Sequence, residues 1–297
     1  MTLSVSGNSI FVPTYPREDL FNRNIVLQIN TTQITARSLT NLDKSRPTLR
    51  IVFKIEKNLA EQPNKSTVAV YNLSEVTRKF LSVGHLVRVQ AGYTKTLTDI
   101  FSGTVSYINQ GREGADWIST FHCADSLAQY TSARMNKSYT TGTPIKRLLM
   151  DAVATMGVGL GNSIEAIAGP SMRKGFTTFL KGAVASGKVS DILTKYLGST
   201  GYNWSIQDGQ LQVIGKGLPT REPAIVLSST SGLIGSPELG EKGLVKAKSL
   251  LQGGFHAGRM VSIISRGING IFVTEKVVHS GDTWGADWTT DIDARPL

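Results

Sequence analysis

The chain has 297 residues, a length that suits two or three compact domains, each with its own core. Hydrophobic residues make up 40% of the chain and charged residues only 18%, which excludes a disordered chain and disfavours a helical bundle. The net charge is +10, and residues 1–150 hold 18 Lys and Arg against 10 Asp and Glu. These cations are spread singly along predicted strands without interleaved aromatic residues. We therefore expect a basic face that meets an acidic protein, and no sequence-specific recognition of nucleic acid.

Residues 1–22 are predicted to form an extended N-terminal arm. Pro13 and Pro16 bar a helix, and Phe11 and Tyr15 are suited to anchor the arm on a neighbouring molecule. The segment has no charged leader followed by an apolar stretch, and the chain has no apolar run near the roughly 18 residues that a membrane span needs. We expect a protein without a secretion signal or a membrane span, made in a reducing cytoplasm.

Residues 23–125 have the alternation of a first β-barrel-like domain. A short helix is predicted after Ser74, its N-cap, and ends before Gly84. The loop GREGAD at 111–116 indicates a hairpin. The predicted strands cover residues 25–30, 49–55, 66–71, 86–93, 99–109 and 117–124.

Residues 126–217 change to a helical period and predict a small α/β domain. Thr143-Pro144 starts one helix, which Gly157 ends, and Ser190 is predicted to cap a second. Asp208-Gly209 lies between two alternating strands and predicts a type I′ turn, because both central residues of that turn need positive φ. The stretch 158–189, rich in Gly, Ala and Ser, is predicted to be a loop.

Residues 218–297 return to β patterning and predict a second β domain. Strands are expected from Ala224, over 244–251, 260–265 and 271–279, and in a final segment through Ile292, with turns over 232–243. The fold class is therefore mainly β (α+β), with two β-barrel-like domains flanking a small α/β domain.

Two glycine-rich motifs resemble nucleotide-binding loops without fitting them. GAVASGKVS at 182–190 carries Lys188, but Val189 stands where a hydroxyl should hold magnesium. GVGLGN at 157–162 follows a predicted helix, whereas a dinucleotide site needs its glycines after a strand. We expect no nucleotide cofactor.

Metal and thiol chemistry is also disfavoured. The four histidines, at 85, 122, 256 and 279, share no metal-binding spacing. Cys123 is the only cysteine, which excludes an intramolecular disulfide, and its alternating surroundings predict a buried strand residue.

An acidic cluster near the C-terminus is the remaining candidate for chemistry; its members are Asp282, Asp287, Asp291 and Asp293. It lacks the ligand pattern of an EF-hand loop, and spacing alone cannot establish a glycosidase pair. Asp282 between Gly281 and Thr283 is typical of a tight turn in which the carboxylate caps backbone N–H groups. We expect no catalytic, cofactor-binding or metal-binding residue and no enzymatic activity.

The C-terminal region resembles the baseplate hub family of phage tails. The stretches that carry the resemblance are GLIGSPELGEKGLVKAKSLLQGGFHAGRMVSI (232–263) and GIFVTEKVVHSGDTWGADWTTDIDARP (270–296), with Gly235-Ser236-Pro237, Gly281-Asp282-Thr283 and Trp288 as matching features. SDILTKYLGSTGYNWSIQDGQLQVI (190–214) is similar to the family's small α/β domain. The N-terminal barrel fits in pattern only.

The resemblance implies a homotrimer whose two β domains per subunit form a pseudo-hexameric ring. Such a ring adapts a six-fold tail tube to a three-fold spike in the virion baseplate, after assembly in the bacterial cytoplasm. The implied partners are tube proteins and a separate spike protein, with a tape measure protein as a further candidate. The alternatives are a hexameric distal tail or tube-initiator protein and a cell-wall-degrading tail protein.

Overall fold

The computed structural model describes residues 2–5, 8–11, 22–37, 48–93, 96–162 and 178–297. Strands make up 54% of the structure and helices 15%, so the mainly β class predicted from the sequence is confirmed. The chain divides into two compact units: residues 1–58, 65–124 and 219–297 form unit 1, and residues 59–64 and 125–218 form unit 2. Among the described residues, no helix is long and apolar enough to cross a membrane.

Among the described residues, unit 1 is built from a branched sheet of 15 strands, one short α-helix and a 3-10 turn at Glu241–Gly243. The strands are β1 (Thr2–Val5), β2 (Asn8–Phe11), β3 (Arg23–Ile29), β4 (Thr32–Arg37), β5 (Ile51–Asn58), β6 (Lys65–Tyr71), β7 (Leu86–Tyr93), β8 (Thr96–Glu113), β9 (Asp116–Ala124), β14 (Ala224–Leu227), β15 (Leu233–Leu239), β16 (Val245–Leu250), β17 (Met260–Ile264), β18 (Asn269–Asp282) and β19 (Trp288–Pro296), and the helix is α1 (Glu75–Phe80).

The described part of unit 2 holds three further helices and two two-stranded ladders. Its elements are α2 (Leu127–Ser132), β10 (Arg134–Tyr139), α3 (Ile145–Met156), β11 (Ala183–Lys188), α4 (Val189–Gly198), β12 (Tyr202–Gln207) and β13 (Gln210–Gly215). β10 pairs with β11 and β12 with β13. A core that includes Leu148, Leu193 and Trp204 is shared by α3, α4 and the β12–β13 ladder.

The long strand β18 joins two β regions within unit 1. β19 pairs along one of its edges, and the other edge pairs first with β17 and then with β5. Each region has its own core: Ile51, Phe53 and Trp288 belong to the first, whereas Val261 and Ile292 belong to the second. β19 therefore contributes Trp288 to one core and Ile292 to the other.

The pairing among the described strands closes no barrel. The main path runs from β1 through β18 to β4, and β15 ends the side branch. The predicted division into segments 1–22, 23–125, 126–217 and 218–297 stays a prediction. What the structure adds is that strands of the segments 23–125 and 218–297 share one unit through the pairing of β5 with β18.

Local signals account for most elements. In β5, Ile51, Phe53 and Ile55 are buried in alternation with more exposed neighbours, as the pattern predicts. Ser74 accepts a hydrogen bond from the backbone N–H of Thr77 and so caps α1. Asp208 and Gly209 have φ of 52° and 78°, which confirms the positive φ expected of a type I′ turn.

Other predictions are wrong in part. Residues 183–188 of the predicted loop form β11, because they pair with β10 along its whole length, while residues 163–177 of that loop lie outside the described residues. Ser190 does not cap the second helix, which begins at Val189 with Lys188 in the N-cap position. Residues 232–243 were predicted to form turns, but most of them form strand β15. This strand pairs with β16, and the pairing is irregular between Ile234 and Glu238.

The predicted arm contains regular structure where it is described. β1 and β2 form an antiparallel pair, and β2 lies parallel to β14. Strand pairing ties residues 2–5 and 8–11 to unit 1, a contact within the chain that the predicted extended arm did not include. Pro13, Tyr15 and Pro16 lie outside the described residues.

Candidate functional site

The β18–β19 turn holds Asp282, the first of the clustered aspartates. Its carboxylate accepts hydrogen bonds from the guanidinium of Arg50, with Nη2 at 2.7 Å, and from the backbone N–H of Trp284 at 2.9 Å. The turn-capping role predicted for Asp282 is thus confirmed. Arg50 lies 232 residues away in sequence and was not predicted as a partner.

Neighbouring groups fix the rest of this turn. The Thr283 hydroxyl accepts a hydrogen bond from the backbone N–H of Ile51, and Arg23 donates to the carbonyl of Gly285. Trp288 is buried and meets the Phe53 ring edge-on at 5.4 Å. Trp284 is about half exposed on this firmly held turn.

The electrostatics of Asp282 are those of a structural anion. Burial alone raises the pKa of its carboxyl, but hydrogen bonds from Arg50 and from the backbone of Trp284 and Gly285 outweigh it, so the pKa falls below the ordinary 3.8. A general acid needs the opposite shift. Asp282 stays ionised and holds the turn.

The other aspartates of the cluster do not converge on Asp282. Asp291 and Asp293 lie in β19 opposite Lys248 and Lys246 of β16, and the Lys248 Nζ lies 3.9 Å from the Asp291 carboxylate. Asp287 is exposed in the turn. Cross-strand lysines and solvent therefore compensate these charges separately.

The candidate metal and thiol residues also have structural surroundings. Across the part of the chain that the structure describes, no three His, Cys, Asp or Glu side chains are grouped to hold a metal ion. Burial raises the pKa of the Cys123 thiol to about 12, which leaves it protonated. The His279 ring lies between the Thr290 hydroxyl and the Phe255 carbonyl, and burial lowers its pKa to about 3.

Neither glycine-rich motif forms a phosphate loop. Residues 183–188 of the first are strand β11, and in the second Gly157 ends α3 with φ of 68°. Gly161 also has positive φ, and a Cβ at this position would clash with the Leu211 backbone. Backbone conformation and packing therefore account for the glycine, and no bound phosphate is needed to explain it.

A cleft of about 350 Å³ in unit 2 was not predicted from the sequence. At its base, the Asp151 carboxylate accepts hydrogen bonds from Lys137 Nζ at 2.7 Å and from the Tyr139 hydroxyl at 3.0 Å, with Arg147 Nε at 3.4 Å. Burial raises the pKa of Asp151, but these donors lower it below its usual range. The sequence feature that could have indicated this cleft is Asp151, a carboxylate on the apolar face of a predicted helix.

Asp125, at the start of the second segment of unit 2, is a buried carboxyl whose pKa is raised, in contrast to Asp282 and Asp151. Asp125 is 1% exposed and accepts a hydrogen bond from the backbone N–H of Gly209 at 2.9 Å. Burial, aided by the charge of Asp208, raises the pKa of Asp125 to about 6. The carboxylate joins the chain entering unit 2 to the β12–β13 turn.

Two groups of large apolar side chains are exposed on unit 1. The first, called the α1 patch, consists of side chains of α1 and of the chain that follows it that are 52–81% exposed: Val76, Phe80, Val83 and Leu86. The second, called the β17–β18 patch, consists of side chains that are 41–60% exposed: Ile264, Ile271 and Leu297. The spacing of Val76 and Phe80 on a helix too short to bury a face was the sequence signal for the first.

The chain matches no known protein-family model, and its sequence matches no curated protein. Its fold, however, is similar to that of solved tail proteins. A 43 kDa tail protein of prophage MuSo2 from Shewanella oneidensis aligns over 92% of this chain and 98% of its own, with a TM-score of 0.62 and 8% identity. A tail protein from Neisseria meningitidis MC58 aligns over 92% and 96%, with a TM-score of 0.59 and 10% identity.

A third similar structure comes from Escherichia coli. It is a component of the type VI secretion system described as structurally similar to the T4 bacteriophage tail proteins gp27 and gp5. It aligns over 91% of this chain and 76% of its own, with a TM-score of 0.56 and 10% identity. The chain therefore has the fold of these tail and secretion proteins over nearly its whole length.

Proposed function

We propose that the chain is a structural hub of a phage tail baseplate. In this proposal three copies form a ring that adapts a six-fold tail tube to a three-fold spike, assembled in the host cytoplasm and retained in the virion. The observation that carries the proposal is the fold likeness to two tail proteins over more than nine tenths of both chains.

The two cores of unit 1 support a symmetry-adapting role. One subunit contributes two β regions, each with its own buried cluster, joined by β18 and β19. Three subunits would contribute six such regions. A ring of three chains can thus offer six similar surfaces to a tube on one side while retaining three-fold symmetry for a spike on the other.

We further propose that the protein has no enzymatic activity and acts through binding surfaces alone. In support, the ionised Asp282 carboxylate forms an ion pair with Arg50, and the Asp291 carboxylate lies opposite Lys248. Tube proteins and a spike protein are the partners that this role requires, with a tape measure protein as a further candidate.

Electron microscopy of the purified protein tests the ring. We expect class averages of a closed ring with three-fold symmetry and six peripheral lobes. A six-fold ring would favour the distal tail or tube-initiator alternative, and isolated particles would contradict ring formation.

A lysis assay tests the absence of catalysis. We expect purified protein to release no soluble fragments from bacterial cell walls. Wall lysis that disappears in Asp282→Asn, while the variant remains folded, would overturn the non-enzymatic assignment in favour of a wall-degrading tail protein.

A further inference from the structure

We propose that the outer edge of β10 binds an extended acidic segment of another protein by β-strand addition, with a carboxylate of that segment in the cleft that has Asp151 at its base. The inference goes beyond the hub proposal, because it assigns a binding surface of unit 2 that requires no ring. The occupant is a polypeptide in extended conformation that carries Glu or Asp.

One edge of β10 has no strand partner among the described residues, because β10 and β11 form a two-stranded sheet. At the end of this ladder the backbone N–H of Val189 donates to the carbonyl of Ala133, which makes these two residues a hydrogen-bonded pair. Hydrogen-bonded and non-hydrogen-bonded pairs alternate along an antiparallel ladder. Asn136 and Ser138 are therefore in non-hydrogen-bonded pairs, and their backbone N–H and C=O groups point away from β11.

The contacts at the two edges of the ladder are consistent with this register. Val184, the partner of Ser138, has its carbonyl outside the ladder, where it accepts a hydrogen bond from the Tyr196 hydroxyl of α4. On the β10 side, Asn136 and Ser138 are exposed, and no described residue hydrogen-bonds to their outward backbone groups. β10 thus offers donors and acceptors with which a further strand can pair.

The cleft beside this edge keeps an excess positive charge. Lys137 and Arg147 both pair with the single carboxylate of Asp151, and their side chains are 45% and 62% exposed. Asp151 engages one hydrogen of the Lys137 ammonium and lies nearest to Nε of Arg147. The other ammonium hydrogens and the terminal guanidinium nitrogens are placed to bind one more carboxylate.

The charge of the surrounding elements indicates an acidic partner. Residues 134–162 and 178–188 hold six Lys and Arg against one acid, Asp151, so they carry +5 of the chain's net charge of +10. No carboxylate of the described chain forms an ion pair with the cations outside the cleft, which are Arg134, Lys146, Lys181 and Lys188. A surface with this charge attracts acidic proteins and speeds their association.

Two other occupants fit this edge less well. A second copy of the chain would bring the same +5 surface against the first, and the two would repel each other. The phosphates of a nucleic acid would neutralise the cations, but they only accept hydrogen bonds and would leave the outward C=O groups of β10 without donors. A polypeptide strand supplies donors, acceptors and carboxylates together.

A peptide titration tests strand addition on the unchanged protein. The probe is a fluorescein-labelled peptide of about eight residues that alternates Glu with Thr, added to the purified protein and followed by fluorescence anisotropy. We expect saturable binding that weakens as the salt concentration rises. Absence of saturable binding, or tighter binding of an oligothymidylate of the same charge, would overturn the proposal.

Two N-methylated forms of the probe separate backbone pairing from charge attraction. One carries the methyl groups on the Glu nitrogens and the other on the Thr nitrogens, so each form loses the donors of one strand edge while both keep the charge. The form methylated on the edge that meets β10 should bind about 10-fold more weakly than the other. Equal affinity of the two forms would refute strand addition.

Proline substitutions locate the edge. Ser138→Pro removes an outward N–H without breaking a ladder hydrogen bond to β11, and it should weaken binding of the Glu-Thr peptide about 10-fold. Ser186→Pro is the matched control on the opposite edge of the same ladder and should leave binding unchanged. Equal affinities of these two variants would overturn the assignment to β10.

Charge substitutions locate the cleft. Arg147→Gln removes one cation while Lys137 and Tyr139 still hold Asp151, and it should raise the dissociation constant about 5-fold. Lys216→Gln removes an exposed cation of unit 2 outside the cleft and should have no effect. Equal effects of the two variants would show that only overall charge matters and would refute the cleft. Circular dichroism verifies folding of each variant, and the N-methylated peptides need no variant at all.

Discussion

Replacing Asp282 with Asn should destabilise unit 1 by removing the charge that holds the β18–β19 turn. The Asp282 side chain is 11% exposed and accepts hydrogen bonds from Arg50 Nε and Nη2 and from the Trp284 backbone. A hydrogen bond to a charged group contributes about 1.5–3 kcal/mol. Asn keeps one acceptor for Trp284 but loses the charged contact, and Arg50 is about one third exposed, so solvent screens part of the loss. We expect a cost of about 2 kcal/mol.

Urea unfolding at pH 7 and a fixed protein concentration measures this cost, because the midpoint should fall while the slope stays constant. Asp287→Asn is the matched control: this carboxylate is exposed in the same turn, and its loss should change the free energy of unfolding by less than about 0.5 kcal/mol. Equal stabilities for the two variants would refute the reasoning about the turn.

The pH dependence gives an independent check of the Asp282 contact. The pKa of Asp282 is lower in the folded protein than its ordinary 3.8, so the stabilisation is present above the unfolded pKa and is lost as pH falls through the folded pKa. The difference between wild type and Asp282→Asn should therefore shrink below about pH 4. A constant difference down to pH 2 would show that charge is not the cause.

Three further predictions concern packing, burial and the N-terminal segment. Gly281→Ala should cost about 1–3 kcal/mol, because a Cβ there would lie 2.8 Å from Trp288 Cε3 and would clash with the Phe53 ring, whereas Gly267→Ala has open space; equal melting temperatures would contradict this packing. Burial raises the pKa of Asp125 to about 6 against an ordinary 3.8, so the ionised carboxylate weakens the folded state as pH rises through 6. Asp125→Asn should therefore stabilise the protein by up to about 3 kcal/mol at pH 8, with the gain vanishing below pH 4, and a less stable variant at pH 8 would refute the burial cost. Deleting residues 1–22 removes β1 and β2 from the edge of β14, and we expect weaker assembly by sedimentation while the remaining strands stay folded and unfold cooperatively; insoluble or unfolded protein would show that the segment is needed for folding.

The sequence predicted those strands and turns whose conformation is determined by residues close to them in the chain. Alternation located β5 through Ile51 and Phe53, and Asp208-Gly209 located its turn, because the causes lie within a few residues of the effect. The cap by Asp282 was predictable for the same reason, since its acceptor role involves the N–H of Trp284 two positions away. These features are set by side-chain alternation and backbone φ.

Features set by distant partners could not be predicted. β15 contains Gly235 and Pro237, which favour turns, but pairing with β16 outweighs that preference. The partner of Asp282 lies at Arg50, and the pairing of β5 with β18 joins segments more than 200 residues apart. Exposure of the α1 patch likewise depends on what covers α1 after folding.

Native mass spectrometry of the purified protein counts the subunits of the proposed ring. We expect an assembly with the mass of three 32.1 kDa chains that persists at micromolar concentration. A mass of six chains would contradict the trimeric hub and favour a tube-initiator ring, and a monomer at every concentration would contradict ring assembly altogether.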